Sequence, residues 1–194
     1  MKRWLLLAVT CLLGLGMFDL EAEAQDRAQG RSMVVTRYGV VASESPLASQ
    51  AGAAILAQGG HAVDAAVAAN AVMGLVAPTG NGIGGDLFAL VYLAEEGKLY
   101  GLNASGWSPA GLTIELLKSQ GLEEMPYRGV HSVTVPGAVD GWAKLLERFG
   151  RLEFAEVLAP AIRYAEEGFP VPELVADLWA RSEKLLRSDE NAAR

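Results

Sequence analysis

Pro78-Thr79-Gly80-Asn81-Gly82-Ile83-Gly84-Gly85-Asp86-Leu87-Phe88 is the stretch whose reading decides the fold. Gly80-x-Gly82-x-x-Gly85 has the spacing of a dinucleotide fingerprint, but that fingerprint works only after a strand and before a helix, so that pyrophosphate meets a helix N-terminus. Here the order is reversed. Asp64 to Val76 reads as helix, and Leu87 to Leu93 is a near-continuous apolar run of strand length. The order argues against a cofactor cradle. Two local readings stand: a steric turn that lets the helix enter a buried strand with backbones close together, or a ligand-binding turn.

Upstream, Met33 to Thr36 and Tyr38 to Ala42 are predicted strands. Ser45-Pro46 then opens a helix, with Ser45 as cap, Pro46 at the first helical position and Leu47, Ala51, Ala54 and Ile55 on one face. Gly59-Gly60 ends it. A second helix over about Ala62 to Val76 is polar only at Asp64 and Asn70, which predicts burial nearly all round. Downstream, Phe88 to Leu93 and Lys98 to Asn103 form a predicted hairpin joined by Ala94-Glu95-Glu96-Gly97. Ile114 to Ser119 reads as a short helix, His131 to Val135 as a strand, and Pro136-Gly137 as the turn into another helix. That helix shows Val139, Trp142, Leu145, Leu146 and Phe149 on one face; the next shows Phe154, Val157, Leu158 and Ile162. A tail from Glu173 carries Leu174, Leu178, Leu185 and Leu186. The class is α+β and helix-rich.

At the N-terminus, Lys2-Arg3 precedes the apolar run Trp4 to Phe18, and Ala22-Glu23-Ala24 supplies small residues suited to cleavage. This predicts a signal peptide over 1–24, a linker over 25–32 and export, periplasmic or secreted. The run of about 15 residues is short against the roughly 20 a membrane span needs, so no stable membrane anchor is expected. Cys11, the single cysteine, falls inside the leader. Without Lys2, Arg3, Asp19, Glu21 and Glu23, the remainder holds 14 basic and 20 acidic residues. That acidic balance, with scattered Lys and Arg, argues against nucleic acid as a partner.

The catalytic inventory is thin. His61 and His131 lie 70 residues apart with no metal-ligand spacing, so no metal is expected. His61 reads as a helix cap and His131 as an ordinary strand residue, each ahead of a role as general base. No G-x-S-x-G elbow is present. Asp64 reads as a carboxylate that favours the helix dipole and bonds backbone N–H groups.

Three ordered motifs carry a resemblance. Gly59-Gly60-His61-Ala62-Val63-Asp64-Ala65-Ala66-Val67-Ala68, then Gly82-Ile83-Gly84-Gly85-Asp86-Leu87-Phe88, then Ser132-Val133-Thr134-Val135-Pro136-Gly137-Ala138-Val139-Asp140-Gly141-Trp142 resemble the N-terminal part of the γ-glutamyltransferase (glutathione hydrolase) family. The likeness runs from about Val34 to the C-terminus and includes Ala159 to Val171.

That resemblance implies an N-terminal-nucleophile hydrolase of αββα-sandwich fold, of which residues 33–194 are the N-terminal part. It also implies a precursor that cuts itself into two subunits, with no metal or organic cofactor. The new N-terminal threonine of the small subunit is then nucleophile, and its own α-amine the base. The sequence ends before such a threonine, so no catalytic residue is expected within it, and the missing half is the expected partner. The expected substrate is a γ-glutamyl or related acyl amide. One departure bears on it. Members usually carry an arginine after the hairpin that clamps the α-carboxylate of the γ-glutamyl group; Ser105 stands there, in Asn103-Ala104-Ser105-Gly106-Trp107-Ser108-Pro109. Ser105 and Asn103 are thus the candidate substrate-binding residues. A neutral hydroxyl supplies no bidentate charged pair, which points to a divergent, cephalosporin-acylase-like branch. A non-catalytic truncated module is the alternative from another class.

Overall fold

A computed structural model describes residues 33–188, so the expected leader and linker lie outside the described residues. α1 spans Pro46–Ala57, with Pro46 in its first turn, and the chain leaves it through Gly59 at φ +93°, where glycine carries no Cβ penalty. Ser45 occupies the N-cap position without capping: its buried hydroxyl makes no hydrogen bond among the described residues. Ser43 Oγ instead donates to the Ser45 carbonyl at 2.7 Å and meets Ser49 Oγ at 2.7 Å. The buried face of α1 is also turned from the expected one. Ala48, Ala51, Gly52, Ile55 and Leu56 are covered and Ala54 is not, because the closest approach to the next helix runs over Gly52. A Cβ there would lie 2.9 Å from the Ala65 carbonyl oxygen and 2.8 Å from Val41 Cγ1.

That next helix, α2 (Ala62–Val76), is the centre of the core, with nine buried residues from Val63 to Val76. Its apolar circumference follows from having helices on several sides, and its two polar residues are both used. Asp64 is fully buried and accepts from the backbone of His61 at 2.6 Å and of Arg151 at 3.0 and 3.1 Å. Asn70 Oδ1 accepts from the Trp142 indole at 2.8 Å, and its carbonyl accepts from the Asn81 amide at 3.0 Å. His61 caps the helix as read, its Nδ1 accepting from Val63 N at 3.3 Å.

β1 (Leu87–Leu93) and β2 (Lys98–Ala104) pair antiparallel, with Leu87 opposite Ala104 and Phe88 opposite Asn103. Leu87, Ala89, Val91 and Leu102 pack on the core. The alternate positions Phe88, Leu90 and Tyr92 stay 67%, 77% and 64% exposed, so β1 is half-buried rather than buried through. α3 (Ile114–Ser119) is capped by Thr113 Oγ1, which accepts from Leu116 N at 3.2 Å.

α4 (Ala138–Phe149) and α5 (Phe154–Glu167) follow. α4 buries Ala138, Gly141, Trp142, Leu145 and Leu146 against α2 and the hairpin. α5 fully buries Val157 alone, and Ile162 and Phe154 remain largely exposed. α6 (Glu173–Leu186) buries nothing among the described residues, leaving Leu174, Leu178, Leu185 and Leu186 exposed as a stripe. Three expected strands are absent. Residues 33–36 and 38–42 form no ladder, and His131 lies in a short 3-10 turn, Val130–Ser132, followed by unpaired extended chain. Apolar composition alone makes no strand; a neighbouring edge must accept its backbone groups.

Candidate functional site

Three sequence-distant segments meet at the end of the hairpin: the glycine-rich turn entering β1, the loop leaving β2, and the extended chain before α4. Asp86 joins them. Its Oδ1 accepts from the Gly106 backbone N–H at 3.0 Å and from the Thr134 hydroxyl at 3.0 Å. The Gly85 carbonyl accepts from the N–H groups of Gly137 and Ala138, both at 3.1 Å, and Val135 N–H donates to the Trp107 carbonyl at 3.0 Å. The N–H of Gly106, chiefly, and then the Thr134 hydroxyl hold the Asp86 carboxyl below the ordinary carboxylate value. Burial opposes them weakly, and the Ser105 hydroxyl adds the smallest downward contribution.

Two glycines make this closeness attainable. A Cβ at Gly106 would lie 1.5 Å from the Val135 carbonyl oxygen, and one at Gly137 would lie 2.2 Å from that of Ala104. By contrast, a Cβ at Gly80, Gly82, Gly84 or Gly85 would meet nothing within 4 Å, and none of the four has positive φ. The steric reading of the glycine-rich turn therefore fails within the described residues. Its demand for space lies instead at the partners it binds.

Both candidate substrate residues sit on the β2-exit loop. Asn103 Oδ1 accepts from Ser105 N–H at 2.9 Å, which curls the loop. Trp107, the next side chain beyond Gly106, is 87% exposed on a backbone tethered from both sides. His61 and His131 do not join the junction: His61 caps α2 and His131 lies in the 3-10 turn. Asp86 and Thr134 each lie within a sequence motif, but nothing local to either motif shows that they touch. The signal was present as Gly85-Asp86 and Thr134-Val135-Pro136-Gly137, but their pairing spans 48 residues.

A cleft of about 490 Å³ lies elsewhere, between β2 and the end of α4. Tyr100 donates to Glu96 Oε2 at 2.6 Å there, with Arg148 stacked 4.5 Å above its ring. The cleft shares no residue with the Asp86 junction. Among the described residues, no group of three His, Cys, Asp or Glu is placed to hold a metal.

Residues 48–194 match the family model described as gamma-glutamyltranspeptidase. The chain belongs to the γ-glutamyltranspeptidase family. Among its family relatives, the glutathione hydrolase-like YwrD proenzyme of Bacillus subtilis is 44% identical over 155 residues, 79% of this chain and 28% of that protein. The crystal structure of cephalosporin acylase from Bacillus halodurans superposes with a TM-score of 0.73 at 45% identity, covering 82% of this chain and 32% of that one. The γ-glutamyltranspeptidase structure from Helicobacter pylori gives 0.76 at 29% identity, covering 83% and 47%. The chain thus spans less than a third of the length of the curated relative. The expected fold holds: this is a partial α+β unit of the N-terminal-nucleophile hydrolase type, from the branch that also contains acylases.

Proposed function

We propose that this chain supplies the N-terminal scaffold and part of the acyl-binding surface of an exported, self-processing amidohydrolase of the γ-glutamyltransferase type. The observation that carries the reading is the meeting of two of the three family motifs at Asp86, directly beside the β2-exit loop with Asn103 and Ser105. The nucleophile is a threonine contributed by further sequence, its α-amine accepting the proton as the hydroxyl attacks the amide carbon. The amine leaves, and water or an amino compound takes the acyl group. Asn103 and Ser105 contact the acyl chain as neutral hydrogen-bonding groups.

A second reading within this one concerns substrate. A loop whose Asn103 and Ser105 are neutral offers an α-carboxylate no charged partner, which favours acylase-like substrates over glutathione. The full-length protein, incubated with γ-glutamyl-p-nitroanilide and butyryl-p-nitroanilide, is expected to release p-nitroaniline, with less preference for the γ-glutamyl amide than an arginine-bearing relative shows. A soluble, folded protein inert toward both contradicts the proposal and favours a non-catalytic module.

A further inference from the structure

We propose that Asp86 is a positioning residue for acyl-group binding, fixing the β2-exit loop through two neutral donors. The inference rests on the functional reading above and deepens it. Its geometric basis is that Asp86 is the tie between loop and scaffold. Gly106 N–H is held from 20 residues away and Thr134 from 48, through the same carboxylate oxygen. On either side of Gly106 the backbone is fixed again, by the Asn103 side chain at Ser105 and by Val135 at Trp107. With 1.5 Å between a Cβ at Gly106 and the Val135 oxygen, the loop has one seat against that segment. A substrate meeting a loop already ordered does not bear the cost of ordering it on binding. Cutting the Asp86 tie transfers that cost to the binding step, so it appears in KM.

Gly106 and Thr134 are neutral donors, so an amide oxygen at position 86 can accept the same two bonds. Asp86→Asn therefore keeps the tie that Asp86→Ala removes.

The test uses the full-length protein with butyryl- and γ-glutamyl-p-nitroanilide, comparing wild type, Asp86→Asn, Asp86→Ala and Thr134→Val. Asp86→Ala should raise KM for both amides about tenfold or more, the effect of losing charge-assisted bonds, with kcat changed much less. Asp86→Asn should restore KM for both amides to within about threefold of wild type. Thr134→Val should fall between wild type and Asp86→Ala. Equal kinetics in all four proteins, or Asp86→Asn behaving as Asp86→Ala, overturns the inference while leaving the functional reading intact. A folded wild type that turns over neither amide overturns both.

Discussion

Asp64→Ala is expected to be among the most damaging single changes in the described core. The side chain is fully buried at the start of α2 and spans 87 residues of sequence to reach the Arg151 backbone. Truncation strands two N–H donors, those of His61 and Arg151, and removes half of the α2 capping box. Each stranded, part-buried donor costs about 1–3 kcal/mol, the His61 bond being the lost half of the capping box. Water entering the vacated volume offsets part of this, which sets the expectation at about 3 kcal/mol, a large share of a typical stability of about 5–15 kcal/mol. Asp64→Asn keeps one acceptor but turns an NH2 group toward a donor, at about 1–2 kcal/mol. Neighbouring Gly150 leaves the room the carboxylate needs, since a Cβ there would lie 2.7 Å from Asp64 Oδ1. Urea unfolding followed by tryptophan fluorescence measures the effect as a lower midpoint at unchanged slope. A loss below about 1 kcal/mol for Asp64→Ala would refute the reasoning, because the carboxylate could not then be the tie between α2 and the start of α5.

Gly106→Ala must push its methyl group into the Val135 carbonyl; a destabilisation of at least about 1–3 kcal/mol is expected, and a neutral effect in the same urea assay would show that the β2-exit loop is not seated as described. Because the folded Asp86 carboxyl lies below its ordinary value, its contribution to stability is fully present above about pH 4 and is lost as pH falls through the folded value. The protection factor of the Gly106 amide should therefore fall on acidification below that point, and an unchanged protection factor would contradict the bond. The 194-residue chain by itself leaves the α6 stripe and the outer face of β1 exposed, and should bind a hydrophobic dye or self-associate; a dye-negative monomer would refute this.

What could be read from sequence was local. The helical spans of α1, α2 and α4, the His61 cap, the Asp64 role and the hairpin joined through Ala94 to Gly97 depend on neighbours a few residues away, and the structure reproduces them. The failures are non-local. Residues 33–36, 38–42 and 131–135 have strand composition but no paired edge among the described residues. Ser45 has a cap's identity and position, yet its hydroxyl is enclosed without a partner. The turn of the α1 face follows from Gly52 meeting Ala65, a contact that no single-helix pattern contains. At the candidate site, likeness points to Asn103 and Ser105, whereas the tie beside them, Asp86 to Gly106 and Thr134, exists only once the hairpin and the α4 approach are folded together.

The most direct test of the central claim is the mass and N-terminal sequence of the chains present in the purified full-length protein. The account predicts two chains from one precursor, the smaller beginning with threonine, with processing and p-nitroanilide turnover both abolished when that threonine is replaced by alanine. A single uncut chain that turns over substrate, or turnover abolished only by a change within residues 33–188, would contradict it.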